Sequence, residues 1–204
     1  MKTTVTKFAL LLIVFMLSAC LPQATPAQVA TPQSQPTPAE NYHSLETQVG
    51  IEEIDHVINA VASGDTPMLR SLVKFTTAKC TLLEGLGGPP KCREGEAEGT
   101  LVEVLPFLSS EGSFIRKDEI ESWQGIDVSG LYAIYRVSPA VTYEEYYPPG
   151  EFAIIFVGLE NSPAISFRIS DGGIVRVDDI FDTTSLEGIL QREASEVILG
   201  PVSR

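Results

Sequence analysis

Histidine, cysteine and tryptophan are scarce in this 204-residue chain, which holds two, three and one of them. With only His43 and His56 available, a four-ligand zinc centre has few donors to draw on. A Ser-His-Asp triad would also depend on one of the two, and neither has a nucleophile motif beside it. Basic residues are few as well, 14 against 27 acidic, for a formal charge of −13. A surface of that sign repels nucleic-acid phosphates and anionic headgroups, so no nucleic acid is expected as a partner. A solvated, acidic domain is the plain reading. The apolar run Phe8–Leu17 has ten residues, about half of what a membrane-spanning helix needs. There is no Asp-x-Asp-x-Asp-Gly loop with a distal Glu, which excludes an EF-hand.

The first twenty residues carry an address. Lys2 and Lys7 make a positive start and Phe8–Leu17 an apolar core, the layout of an export signal. Leu17-Ser18-Ala19-Cys20 follows and resembles the lipobox of bacterial lipoproteins. That resemblance implies diacylglyceryl transfer to the Cys20 sulfur and cleavage between Ala19 and Cys20. The implied location is the extracytoplasmic face of the cell membrane or the outer membrane, where two acyl chains hold more firmly than one. A secretory signal with a chance cysteine is the other reading. No cofactor is expected beyond this lipid. Removing residues 1–19 takes away two lysines and no acid, leaving a charge of −15.

Residues 20–41 contain Pro22, Pro26, Pro32, Pro36 and Pro38 among Gln, Thr, Ala and Ser, with no apolar period. Such a segment buries too little to offset its ordering entropy. It is expected to be a disordered, partly extended tether reaching up to roughly 60 Å. Residues 42–204 are then expected to form a single α+β domain.

In that domain Ile51, Ile54, Ile58 and Val61 recur at helical spacing, predicting a helix over about 48–63 that stops at Gly64. Asp65-Thr66-Pro67 opens a second helix, with Met68, Leu69, Leu72 and Val73 as its buried side. Phe75–Thr100 reads as a long connection, Thr100–Leu105 as a strand closed by Pro106, and 117–124 as a short helix with Trp123 in the core. Leu131–Val137, Val141–Tyr146, Glu151–Leu159, Ala164–Ile169 and Ile174–Ile180 read as strands. Glu151–Leu159 is apolar on both faces and so central. Ser170-Asp171-Gly172-Gly173 is a hairpin turn. A last helix is expected near 185–197. Helices followed by a meander indicate α+β. Their order over about 50–181 resembles the NTF2-like, cystatin-like superfamily, which implies N-terminal helices packed on a curved antiparallel sheet forming a cone. Its members include enzymes, ligand binders and association modules.

With Cys20 lipidated, Cys80 and Cys92 remain as a pair outside the cytoplasm, and a disulfide between them is expected. It would contribute about 3 kcal/mol by chain entropy. Zinc is the alternative. Between them lies Gly85-Leu86-Gly87-Gly88-Pro89-Pro90-Lys91, which fails as a phosphate loop because prolines precede the lysine and no Ser or Thr follows it. It reads as a tight surface turn, or as a rigid contact surface of Gly85, Gly87, Gly88, Pro89 and Pro90. Tyr143, Tyr146 and Tyr147, around Glu144-Glu145 and before a Pro-Pro-Gly turn, offer a second candidate surface for protein or sugar. The alternative is an edge strand packing its tyrosines on its neighbours. Glu94, Glu96 and Glu98, and Asp178, Asp179 and Asp182, read as solvated clusters, with weak calcium binding as the other possibility. His56 falls opposite the apolar stripe of its helix and is expected to face solvent. No residue is assigned a catalytic role. The reading is a membrane-anchored binding or envelope-associated interaction module whose partner is an unknown protein or small molecule. An extracytoplasmic enzyme, an acid-catalysed hydrolase or isomerase in a conical pocket, is its rival. A pocketed Asp or Glu with a raised pKa would favour the rival.

Overall fold

The computed structural model describes residues 42–159, 163–182 and 186–202; the signal segment, Cys20 and the tether lie outside them. The first helix, α1 (Glu52–Ser63), buries Ile54, Val57, Ile58 and Val61 on one stripe, and His56 is exposed as its position on the wheel predicts. Glu52, Glu53 and Asp55 occupy its first turn, where negative charge suits the helix dipole. The Asp55 carboxylate also accepts from the N–H groups of Val49 and Gly50. Gly64 closes the helix in the left-handed conformation, φ 65°. The Asp65 carboxylate caps α2 (Thr66–Ser71) through the Met68 N–H at 2.9 Å. Leu69 and Val73 are buried, whereas Met68 is exposed.

Among the described residues eight strands form one sheet: β1 (Thr76–Lys79), β2 (Leu101–Leu108), β3 (Ser113–Arg116), β4 (Val128–Val137), β5 (Phe152–Gly158), β6 (Ala164–Ser170), β7 (Gly173–Ile180) and β8 (Ala194–Leu199). Their order is β1-β2-β7-β6-β5-β4-β8, with β3 paired to β2. A 3-10 helix, Lys117–Ser122, follows β3, and α3 (Leu186–Glu193) precedes β8. The architecture is α+β, a mixed open sheet with few helices. The sheet is not wholly antiparallel as expected, because β2 and β7 pair in parallel at Phe107 with Val177 and Leu108 with Asp178.

Alternation along the central strands divides the interior in two. Phe152, Ile154 and Phe156 of β5, with Phe167 and Ile169 of β6, join Trp123 and the stripes of α1 and α2 in the larger core. Ala153 and Ile155 face the other way, onto a smaller core with Tyr135, Leu186 and Leu190 of α3. The small residues Ala133, Ala153 and Ala164 make room there for the helix. At the β6–β7 hairpin, Asp171 and Gly172 take φ of 50° and 72°, as the Asp-Gly signal predicts.

Several boundaries move. The expected connection 75–100 contains β1, and β3 occupies residues with no expected element, just before the helix expected at 117–124. β2 runs through Pro106, which stands opposite Phe114. The missing N–H is tolerated because β2 pairs with β1 only to Val104 and with β7 only from Phe107. Val141–Tyr146 is a loop and no strand; two turns interrupt it, with backbone bonds from Val141 to Ser138 and from Tyr147 to Glu144. The last helix stops at Glu193, and the chain continues as β8.

The larger core makes a direct stability prediction. Phe167 is fully buried, its ring centroid 5.5 Å from Phe156 and 6.2 Å from Trp123. Phe167→Ala is expected to cost about 3–5 kcal/mol in urea unfolding; a loss below about 1 kcal/mol would contradict this packing.

Candidate functional site

The second face of the sheet carries charge where the sequence suggested solvent. Arg168 on β6 stands directly opposite Arg176 on β7. They are 3% and 0% exposed, and Asp178, two residues on from Arg176, is 6% exposed. Like charges facing each other across strands repel; the aspartate between them reverses that. Its Oδ2 accepts from Arg168 Nε at 2.8 Å and Arg176 Nη2 at 2.9 Å, and its Oδ1 from Arg176 Nε at 2.6 Å. Arg176 also donates to the Pro148 carbonyl at 3.0 Å and lies 3.9 Å from the centre of the Tyr143 ring.

Glu193, the last residue of α3, completes the cluster. It accepts from Arg168 Nη2 at 2.6 Å, from the Tyr135 hydroxyl at 3.1 Å and from the Tyr143 hydroxyl at 3.2 Å. Burial alone would lower the Arg168 pKa, but Asp178, Tyr135 and Glu193 outweigh it, so the guanidinium stays charged. Burial pushes the Tyr135 hydroxyl far up, keeping it a donor. Both carboxylates of the cluster are thus consumed internally. Two polar atoms on the same face of β6 are buried without a partner among the described residues: Arg168 Nη1 and Ser166 Oγ.

A cleft of about 340 Å³ opens beside this cluster. It lies at the carboxyl ends of the parallel pair β2 and β7 and is closed on one side by α3. Leu108, Ser109, Ser110, Tyr143, Arg168, Asp178, Asp179, Ile180, Ile189, Arg192 and Glu193 line it. Arg192 is exposed and makes no hydrogen bond or ion pair among the described residues. The Asp179 carboxyl is pushed up by burial and then by neighbouring Asp178.

The residues singled out from the sequence gather elsewhere. Cys80 and Cys92 lie at disulfide distance, Cα atoms 4.9 Å apart. Their loop is also tied by backbone bonds from Thr81 to the Pro90 carbonyl and from Cys92 to the Thr81 carbonyl. Gly85, Gly87, Pro89 and Pro90 line a separate cavity of about 430 Å³ with Lys91, Arg93, Phe114 and Arg116; Gly88 is exposed on the same turn. Tyr146 and Tyr147 pack on Phe114 at 5.9 and 5.5 Å, so they adjoin this loop. Tyr147 is buried and Tyr146 half-buried. Gly112 turns beneath Tyr147 at φ 65°, where an added Cβ would fall 2.3 Å from the hydroxyl oxygen. Tyr143 parts from the other two and joins the arginine cluster. The tyrosines therefore do not form one exposed patch.

The acidic clusters are not uniformly solvated either. Asp178 is buried, and Glu96 accepts two hydrogen bonds from Arg116, each 2.7 Å, and one from the Arg93 N–H at 2.7 Å. Glu96 is also the carboxylate nearest the two cysteine sulfurs, but those contacts already occupy both of its oxygens. Sequence reasoning missed Arg168, Arg176, Glu193 and Arg192. A regular hairpin about Asp171-Gly172 would set Arg168 opposite Val175; a register shift between Arg168 and Ile169 sets it opposite Arg176, so no count along the sequence pairs the two arginines.

No protein-family model matches the chain, and no curated protein or solved structure matches it significantly.

The Arg116 hydrogen bonds and the Arg93 N–H hold the Glu96 carboxyl at about 2, below its usual 4.5. A depressed carboxyl contributes stability that is whole above the unfolded value and lost as pH falls through the folded one. Stability from this group is therefore expected to drain between about pH 4.5 and pH 2. Urea titrations across that window check it: Glu96→Gln is expected to lose less stability on acidification than the unaltered chain, and identical losses would refute the assignment.

Proposed function

We propose that the chain is a lipid-anchored extracytoplasmic binding module that uses the cleft beside α3 to hold a small ligand. The observation that carries the binding part is the imbalance of free groups in the cleft. Asp178 and Glu193 are committed to internal partners, while Arg192 and one nitrogen of Arg168 are uncommitted among the described residues. A site that leaves donors free and ties down two of its three acids, Asp179 being the third, is built for recognition more than for proton transfer. Its volume lies at the lower end of the range of about 300–1,000 Å³ typical of small-molecule sites.

The anchor rests on Leu17 to Cys20 and on the proline-rich tether. Among the described residues no helix is long and apolar enough to cross a membrane. The NTF2-like relationship belongs to the same proposal: α1 and α2 against a sheet face support it, whereas α3 on the opposite face departs from a cone left open for a ligand. The rival enzyme reading has one observation in its favour, the raised carboxyl of Asp179 in the same cleft.

Cys20→Ala and Asp179→Asn test the two halves of the reading. Cys20→Ala is expected to shift the protein out of the membrane fraction, with mass spectrometry finding diacylglyceryl on Cys20 only in the unaltered chain. Wild-type protein beginning elsewhere and carrying no lipid would refute the anchor. With a ligand in hand, Asp179→Asn is expected to change its affinity and to abolish no turnover; ligand conversion that this change eliminates would establish the enzyme instead.

A further inference from the structure

We infer that the cleft recognises a monocarboxylate with a short apolar body, taken carboxylate-first between Arg192 and the Ser109–Ser110 turn. The inference deepens the binding reading above and rests on it. Its ground is the accounting of charge and hydrogen bonds around the cleft. Three arginines, Arg168, Arg176 and Arg192, meet three acids, Asp178, Asp179 and Glu193. Asp178 and Glu193 are used up by Arg168 and Arg176, which leaves Arg192 as the cation and Asp179 as the acid of the cleft that form no ion pair among the described residues.

The unfilled donors agree with this. Arg168 is 97% out of water, yet its Nη1 has no acceptor among the described residues. The Ser109 oxygen accepts from the Gly112 N–H at 3.2 Å, so its proton remains available to a ligand. A guanidinium beside hydroxyl donors is the arrangement that a planar carboxylate fits, because two parallel bonds can form. The apolar part of the lining decides the rest of the ligand. Leu108, Ile180 and Ile189 supply apolar surface, and the cleft holds only about 340 Å³. A dianion is disfavoured, since Asp179 also lines the cleft and one arginine cannot offset two further charges. The Asp179 carboxyl is pushed up by burial and by Asp178, which eases its repulsion of a single bound carboxylate.

The test titrates the full chain in detergent micelles with hexanoate and benzoate, with benzamide as a neutral counterpart and with inorganic phosphate, followed by amide chemical shifts. Both carboxylates are expected to shift Ser109, Ser110, Ile189 and Arg192 saturably and to bind at least tenfold more tightly than benzamide. Phosphate is expected to leave these amides in place. Arg192→Gln, at an exposed position where the fold is not at stake, is expected to weaken hexanoate and benzoate by roughly tenfold to a hundredfold, through the loss of the charged grip on the carboxylate. If benzamide binds in the cleft as well as benzoate and Arg192→Gln changes nothing, anion recognition is wrong while the cleft survives as a binding site. If phosphate competes with benzoate on equal terms, the preference for a monoanion is wrong. If no probe moves the cleft amides, both this inference and the binding reading fall.

Discussion

Two arginines buried side by side on neighbouring strands would repel each other and lack their hydration, and everything on the second face of the sheet follows from how that is resolved. Asp178 accepts three hydrogen bonds from Arg168 and Arg176. The donors left over then reach outward: Arg176 to the carbonyl of Pro148, and Arg168 to Glu193 at the end of α3. The cluster thereby ties the 141–150 loop and α3 onto the sheet, whose edge strand β8 is held by its own pairing with β4. Removing one member of such a buried pair is costly, because the charges left behind have no water to replace it.

The chain emerges from this as a sheet with two differently built faces. One is an apolar core against α1 and α2, with Phe167 and Trp123 in contact. The other is half apolar, where Leu186 and Leu190 lie on Ala153 and Ile155, and half ionic. The cleft opens where the ionic half meets the carboxyl ends of β2 and β7. A cleft backed by the bonded Arg168, Asp178 and Glu193 keeps its shape before a ligand arrives, and preorganisation of this kind lowers the cost of binding. The loop between Cys80 and Cys92 has the same quality by a different route. Proline, backbone bonds and the cysteine pair order it, and Tyr146 and Tyr147 support it from beneath through Phe114.

How much was legible follows from which signals are local. The stripe of α1, the cap at Asp65, the central position of β5 and the Asp171-Gly172 turn all depend on neighbours within a few residues, and each appears in the structure. β1 and β8 escaped because each is short and gains its place by pairing with a distant strand, Thr76 with Val104 and Val197 with Tyr135; β3 is a four-residue strand that pairs with the adjacent β2. The site escaped for a related reason. Ser166-Arg168 and Arg176-Asp178 alternate as a solvated face would, and nothing local reveals that α3 and the Tyr143 segment will cover them. Tyr143 was singled out for its exposure, yet its ring lies against a buried guanidinium. The period of two gives the side of the sheet, and only tertiary packing decides whether that side is wet.

The central claim is that Asp178 holds the second face together, and Asp178→Ala tests it most directly. Urea unfolding combined with residue-resolved hydrogen exchange is the measurement. The account predicts a loss of about 3–5 kcal/mol, with the amides of α3 and residues 141–150 losing protection before those of α1 and β5. A variant within about 1 kcal/mol of the unaltered chain, or one in which protection falls evenly over both faces, would contradict it.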